Sequence, residues 1–106
     1  MMLRILERKN FVEEAKARGL DPVYFAVDNT PFQVREGIQA VRSTVLLTAE
    51  LKGVVFQYAE HIGDYLAVSE PEHKENSEKI KKATEELKKL LKDSGITIKP
   101  GVWTPA

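Results

Sequence analysis

The sequence predicts an α+β domain in which a four-stranded antiparallel sheet carries two helices on one face, with an extra N-terminal helix. Three observations predict this fold class: a capped amphipathic helix near the C-terminus, apolar segments that alternate with period two, and short turns between them. The length of 106 residues fits one domain. We divide it into a helical extension over residues 1–20, an α/β core over 21–99 and an extended tail over 100–106.

The composition excludes several classes of site and partner. Sixteen basic and sixteen acidic residues cancel, so no net charge selects nucleic acid or an anionic membrane. The absence of cysteine removes disulfides, thiolate metal sites and cysteine nucleophiles. Lys and Glu dominate the charged residues, which is typical of thermostable proteins. No apolar stretch approaches the ~20 residues that span a bilayer, and residues 1–9 lack a signal peptide's apolar segment. We expect a cytoplasmic protein.

The first elements are predicted by capping and β-propensity. Asn10 with Glu13 resembles a capping box, which predicts a helix over 11–18, while residues 2–6 fit either a strand or an extension of that helix. Residues 23–27 have high β-propensity and predict a strand that Asp28-Asn29 ends.

The next segment allows two interpretations. Thr30 resembles a helix cap, Pro31 fits a first turn, and Lys52-Gly53 resembles a helix end. Between them, apolar residues repeat at helical spacing: Val34, Ile38, Val41, Val45 and Ala49. We therefore predict a helix over residues 31–52. Apolar and polar side chains also alternate over 43–51, however, which would make that segment a strand.

The second half of the core is predicted as a hairpin, a helix and a short strand. Strands over 54–60 and 64–69 flank His61-Ile62-Gly63, whose glycine is typical of a turn. A helix is predicted over residues 71–94. Ser69 and Glu72 resemble a capping box, Pro71 fits the first turn, and Gly95 fits the position after the last turn. The apolar residues of this segment repeat at helical spacing: Ile80, Ala83, Leu87, Leu90 and Leu91. Residues 96–99 alternate and predict a last strand.

The predicted order from residue 23 onward is β-α-β-β-α-β, which resembles the ferredoxin-like arrangement. Right-handed crossovers would place both helices on one face and leave the other open. Alternation assigns that other face tyrosines with small or polar neighbours: Tyr24, Ala26, Val55, Gln57, Ala59, Tyr65, Ala67, Thr97 and Lys99. Such a face is expected to be covered.

Three partners could pack on this face of the sheet. Residues 1–20 could pack across it through Leu3, Leu6 and Phe11, or a second subunit could do so. Single-stranded nucleic acid is the third, because Tyr24 and Tyr65 would stand side by side as a stacking platform. Self-cover or an oligomer contact is favoured, since the face has little basic character besides Lys99. The candidate interface or ligand residues are Tyr24, Gln57, Tyr65, Thr97 and Lys99.

Three polar clusters are weaker candidates. Lys74, Lys81, Lys88 and Lys92 follow one flank of the last helix and could meet phosphates or an acidic partner, although a solvated helix face explains them as well. His61 and His73 lie near carboxylates without a standard ligand spacing, so we predict no metal and no cofactor. Asp28-Asn29-Thr30 could form a pocket at a helix N-terminus, or could simply cap the helix.

These observations lead to an ordered set of hypotheses on function. We expect a domain that acts by association, as a homo-oligomer or as an accessory subunit of a larger assembly. The alternative is a module that binds single-stranded RNA through the tyrosine face and the lysine row. A small-molecule sensor or enzyme is less favoured, because the sequence contains no phosphate loop, nucleophile elbow or catalytic triad pattern.

Overall fold

The computed structural model describes residues 2–101, with side chains from residue 4 onward. Its elements are β1 (Met2–Leu6), α1 (Arg8–Arg18), β2 (Val23–Arg35), β3 (Ile38–Leu51), β4 (Val54–Leu66), α2 (Glu70–Lys92) and β5 (Ile98–Pro100). The side chain of Leu3 and most of the predicted tail, residues 102–106, lie outside the described residues.

The strands form one mixed sheet of five strands in the order β1-β4-β3-β2-β5. The three long strands β2, β3 and β4 pair antiparallel, while the short strands β1 and β5 pair parallel at the two edges. The prediction of a four-stranded antiparallel, ferredoxin-like sandwich is therefore wrong.

Both helices pack on the same face of this sheet. Phe11 and Ala15 of α1 join Leu87 and Leu91 of α2 in one buried cluster, which also contains alternate residues of the strands: Val23, Val45, Leu47, Ala49, Phe56 and Tyr58. Such a cluster removes apolar surface from water and supplies most of the driving force for folding. We call the side of the sheet that meets α1 and α2 the helix face, and the opposite side the open face.

The helix predicted over residues 31–52 does not form. These residues complete β2 and form β3, with Glu36 and Gly37 in the turn between them. The alternation over 43–51 is therefore the decisive pattern, since Val45, Leu47 and Ala49 are fully buried while Glu50 is exposed. Lys52 and Gly53 close the β3–β4 hairpin with φ values of 51° and 80°, as a two-residue primed turn requires. The predicted helix end is thus a hairpin turn.

The turn predicted at His61-Ile62-Gly63 is also wrong, because β4 runs through it as one strand. Thr44 pairs with His61 and Ser43 pairs with Gly63, so Ile62 is an extra residue, a β-bulge. A bulge shifts the alternation by one residue. The side chains after Ile62 therefore face the sides opposite to those that simple alternation predicts.

The terminal elements of the core follow the prediction closely. Helix α2 spans Glu70–Lys92 against the predicted 71–94, and β5 spans Ile98–Pro100 against 96–99. Residues 2–6 are a strand rather than an extension of α1. The capping box at α2 does not form: the Ser69 side chain makes no cap hydrogen bond, and Glu72 Oε2 accepts one from the Leu66 backbone N–H at 2.6 Å.

Candidate functional site

The open face contains a row of side chains that crosses all five strands. Tyr24 lies opposite Thr48, Thr48 opposite Gln57, Gln57 opposite Ile5, and Tyr24 also opposite Lys99. The next row toward the bulge is Ala26, Leu46 and Ala59, which are small or apolar. Because neighbouring residues of these strands point to the helix face, these two rows form the centre of the open face.

Neither helix covers the rows on the open face, yet parts of them are dry. In the first row, Thr48 is 3% exposed whereas Ile5 is 68% exposed. Within residues 4–101, the hydroxyl Oγ1 of Thr48 is buried without a hydrogen-bond partner. A buried polar atom without a partner is unusual in a folded protein. The face therefore combines exposed apolar surface with an unsatisfied hydrogen-bonding group.

Beyond these two rows the open face becomes polar and its charges are paired. The Asp64 carboxylate accepts hydrogen bonds from Arg42 (Nε to Oδ1, 3.1 Å) and contacts His61 Nε2 at 2.8 Å. The Arg42 guanidinium, followed by the His61 ring, lowers the pKa of Asp64 below its ordinary value. Arg42 also lies 5.1 Å from the centre of the Phe32 ring. These pairs compensate each other, so this region has no strong charge of one sign.

The structure brings together three of the five residues predicted for the interface or ligand face. Tyr24, Gln57 and Lys99 share one row. Tyr65 does not lie beside Tyr24: after the bulge it faces α2, where its ring packs edge-on against His73 with 4.2 Å between the ring centroids. Thr97 precedes β5 and makes two backbone hydrogen bonds. Its N–H donates to Asp21 Oδ1, and its carbonyl oxygen accepts from the Val23 N–H.

The predicted pocket at Asp28-Asn29-Thr30 lies inside β2 and not at a helix N-terminus. Asp28 and Thr30 share the open face, where Thr30 Oγ1 donates to Asp28 Oδ2 at 3.1 Å. Asn29 points to the helix face, and its Oδ1 accepts a hydrogen bond of 2.7 Å from Ser43 Oγ. The three side chains are thus divided between the two sides of the sheet and form no common pocket.

The predicted lysine row is exposed along α2 and lies on the other side of the sheet from Tyr24. Lys88 and Lys92 line a cleft between the end of α2 and the edge of the sheet, together with Lys99. Lys74 and Lys81 are not among the residues that line this cleft. The four lysines of α2 therefore lie across the sheet from Tyr24, and Lys99 at the edge of the sheet is the lining residue of this cleft that belongs to the Tyr24 row.

An ionic cluster on the helix face ties α1 to β4 and α2. The Arg8 guanidinium donates to both carboxylate oxygens of Glu60, at 2.9 and 2.7 Å, and to Glu86 at 3.2 Å. Tyr58 Oη donates to the same Glu60 carboxylate at 2.6 Å. Burial alone would raise the pKa of Glu60, but the hydrogen bonds from Tyr58 and Arg8 outweigh it and lower that pKa. Burial, followed by the hydrogen bond to Glu60, raises the pKa of Tyr58. The cluster's partners satisfy one another, which fits a structural role.

Several residues of the open face were missed by sequence reasoning. Thr44, Leu46 and Thr48 were assigned to a helix, although the alternation over 43–51 was the available signal. The Arg8–Glu60 pair joins residues 52 positions apart, so no local pattern could indicate it.

Among the described residues, no three His, Cys, Asp or Glu side chains are grouped so that they could hold a metal ion. Neither helix in the described part of the chain is long and apolar enough to cross a membrane. Comparisons with protein-family models, curated proteins and solved structures find no match.

Proposed function

We propose that this protein acts by association, and that a second copy of the chain packs on the open face of its sheet. The observation that carries the proposal is the Thr48 row. Within the described residues, the Thr48 hydroxyl is buried without a partner in the same row as the exposed Ile5, next to the row of Ala26, Leu46 and Ala59, and neither helix covers these rows. An antiparallel sheet can leave one face in water, but that face then usually carries charged or polar side chains in alternation.

The N-terminal segment is not the cover that this face lacks. Phe11 is fully buried on the helix face, against Tyr58 at 6.4 Å between ring centroids. Leu6 also packs against the core on that side. With α1 committed to the helix face, a second molecule is the remaining cover for the described residues.

The size of the open face supports a second copy. Strands of 13 or 14 residues, rising ~3.3 Å per residue and spaced ~4.8 Å apart, give a face on the order of 700 Å². A standard interface buries about 800 Å² on each partner. Two such faces packed by a two-fold axis would bury the central rows of both copies.

The charge of the open face favours a protein over nucleic acid. Among the described residues that strand pairing places on this face, three carboxylates (Asp28, Glu50 and Asp64) balance three cations (Arg35, Arg42 and Lys99), with His61 beside them. Phosphate backbones need a basic surface. Since Tyr65 and the lysine row also lie away from Tyr24, no observation favours the RNA alternative.

A charge placed in the centre of the open face tests the proposal. Ala59 is exposed and lies opposite Leu46, so Ala59→Arg should leave the fold intact while burying a cation in the interface. We expect sedimentation velocity to show that Ala59→Arg weakens self-association at least tenfold. Ser77→Arg, on the exposed surface of α2, is the matched control and should associate like the unmodified chain. Equal association of the two variants would refute the open face as the interface.

A further inference from the structure

A second surface, on the helix face and so on the other side of the sheet from Tyr24, has the properties of a small-molecule site. A cleft of about 340 Å³ opens where the last turns of α2 pass over the edge formed by β5 and β2. This volume is at the lower end of the range for ligand pockets, about 300–1,000 Å³. We call it the lysine cleft.

The floor of the lysine cleft is apolar, and the charged side chains that line the cleft are lysines. Phe25, Ile96, Ile98 and Pro100 supply apolar surface. Among the described residues, the charged ones that line the cleft are Lys88 and Lys92 of α2 and Lys99, whose side chain the strand pairing places on the open face. The Lys88 ammonium lies over the Phe25 ring, 5.4 Å from its centroid. This contact holds a cation at the margin of the apolar floor.

These ammonium groups have no protein counter-ion in the part of the chain that the structure describes. The ion pairs of residues 4–101 join other groups: Glu86 pairs with Arg8, and neither Glu85 nor Asp93 pairs with Lys88 or Lys92. Lys88 and Lys92 thus bring two cations without a counter-ion to the helix-face side of one cleft, which favours an anion there.

The end of α2 does not need these lysines for capping. Its last four carbonyl oxygens, those of Lys89, Leu90, Leu91 and Lys92, already accept hydrogen bonds from the loop that follows. Asp93 N–H donates to Lys89 and Ser94 Oγ donates to Leu90. The N–H groups of Ser94 and Ile96 both donate to Leu91, and Gly95 N–H donates to Lys92. The lysine ammonium groups therefore remain available to a ligand.

We propose that the lysine cleft binds an amphipathic anion, a small molecule in which a phosphate or carboxylate head joins a short aliphatic or aromatic body. The body would lie on Phe25 and Ile98, and the head would meet the ammonium groups of Lys88 and Lys92. Charged hydrogen bonds would fix the head, and apolar contact would select the body. The proposal is independent of association through the open face.

Isothermal titration calorimetry with octyl phosphate tests this site. For a ligand of about 13 heavy atoms we expect one bound molecule per chain with a Kd on the order of 0.1 mM. Inorganic phosphate, which has the charge without the body, should bind at least tenfold more weakly. Octyltrimethylammonium, which has the body with the opposite charge, should not bind.

Two double variants locate the binding. Lys88→Gln with Lys92→Gln should weaken octyl phosphate binding at least tenfold, while Lys81→Gln with Lys82→Gln, also exposed on α2, should leave it unchanged. All four positions are exposed, so both proteins are expected to fold. The proposal is overturned if octyl phosphate does not bind at about 2 mM, if inorganic phosphate binds equally well, or if the two double variants have the same affinity.

Discussion

Asn76 of α2 donates a hydrogen bond from Nδ2 to Ser43 Oγ of β3 at 2.8 Å, and this bond joins the second helix to the central strand beside the bulge. Ser43 is fully buried and donates in turn to Asn29 Oδ1, so a short polar chain crosses from the helix to β2. A satisfied polar group of this kind fixes how one element is placed on another.

Replacing Ser43 with alanine should reduce the free energy of unfolding by about 1–3 kcal/mol, because the buried Asn76 amide would lose its hydrogen-bond partner. Urea denaturation followed by circular dichroism measures this change. Ser77→Ala, one residue further along α2 but exposed, should change stability by less than about 0.5 kcal/mol. A cost for Ser43→Ala no larger than that of the control would show that the bond is not stabilising.

Gly63→Ala should destabilise the protein by about 1 kcal/mol. A Cβ atom at Gly63 would lie 3.1 Å from Asn76 Oδ1, and the hydrogen bond to Ser43 limits how far Asn76 can move away. A double-mutant cycle with Asn76→Ala measures the coupling. In that background the alanine at position 63 should become neutral or slightly stabilising. The same cost in both backgrounds would contradict a clash with Asn76.

Glu60→Gln should cost about 1 kcal/mol at neutral pH, a value discounted for the partial exposure of the pair. Because the folded-state pKa of Glu60 lies below its ordinary value of 4.5, the unfolded chain binds the proton first as the pH falls. The contribution is therefore full above the ordinary pKa and lost as the pH falls through the lower, folded-state value.

Urea titrations of both proteins between about pH 7 and pH 3 check this dependence. The difference in unfolding free energy between the unmodified chain and Glu60→Gln should shrink toward the acid end. Glu86→Gln, which removes the longer and more exposed contact to Arg8, should have a smaller effect. A difference that stays constant down to pH 3 would be inconsistent with a lowered pKa at Glu60.

Thr48→Val should stabilise the dissociated chain by about 1 kcal/mol, because it exchanges a buried hydroxyl without a partner for a methyl group of similar size. The measurement is urea denaturation at micromolar protein, where association is weakest. Thr44→Val, at a less buried position of the same strand, should change stability less. A loss of stability in Thr48→Val would mean that this hydroxyl does have a partner.

The elements that could be predicted are those with local signals. Pro71 lies in the first turn of α2, Gly95 follows its end, and its apolar stripe repeats at helical spacing, so signals within the segment were enough to predict it. Strand pairing is not local. Thr30-Pro31 and Lys52-Gly53 resemble helix boundaries within their own segment. What makes residues 38–51 a strand is pairing with distant segments: Leu47 lies between Phe25 and Tyr58 in the sheet, and its side chain is buried in the core cluster with residues of α1 and α2.

The open face was predicted correctly only up to the bulge. Alternation placed Tyr24, Gln57 and Lys99 together, as the structure does. A single extra residue, Ile62, reverses the sides beyond it and moves Tyr65 against His73. Nothing in the local sequence distinguishes a glycine in a bulge from a glycine in a turn, since both interrupt an apolar strand.

Light scattering coupled to size-exclusion chromatography, over a range of protein concentrations and at low and high salt, tests the central claim most directly. Association through the open face predicts twice the chain mass of 12.0 kDa, about 24 kDa, and little effect of salt because Lys99 is the one charged residue in the two central rows of that face. A mass of 12.0 kDa at every concentration up to about 1 mM would contradict the claim.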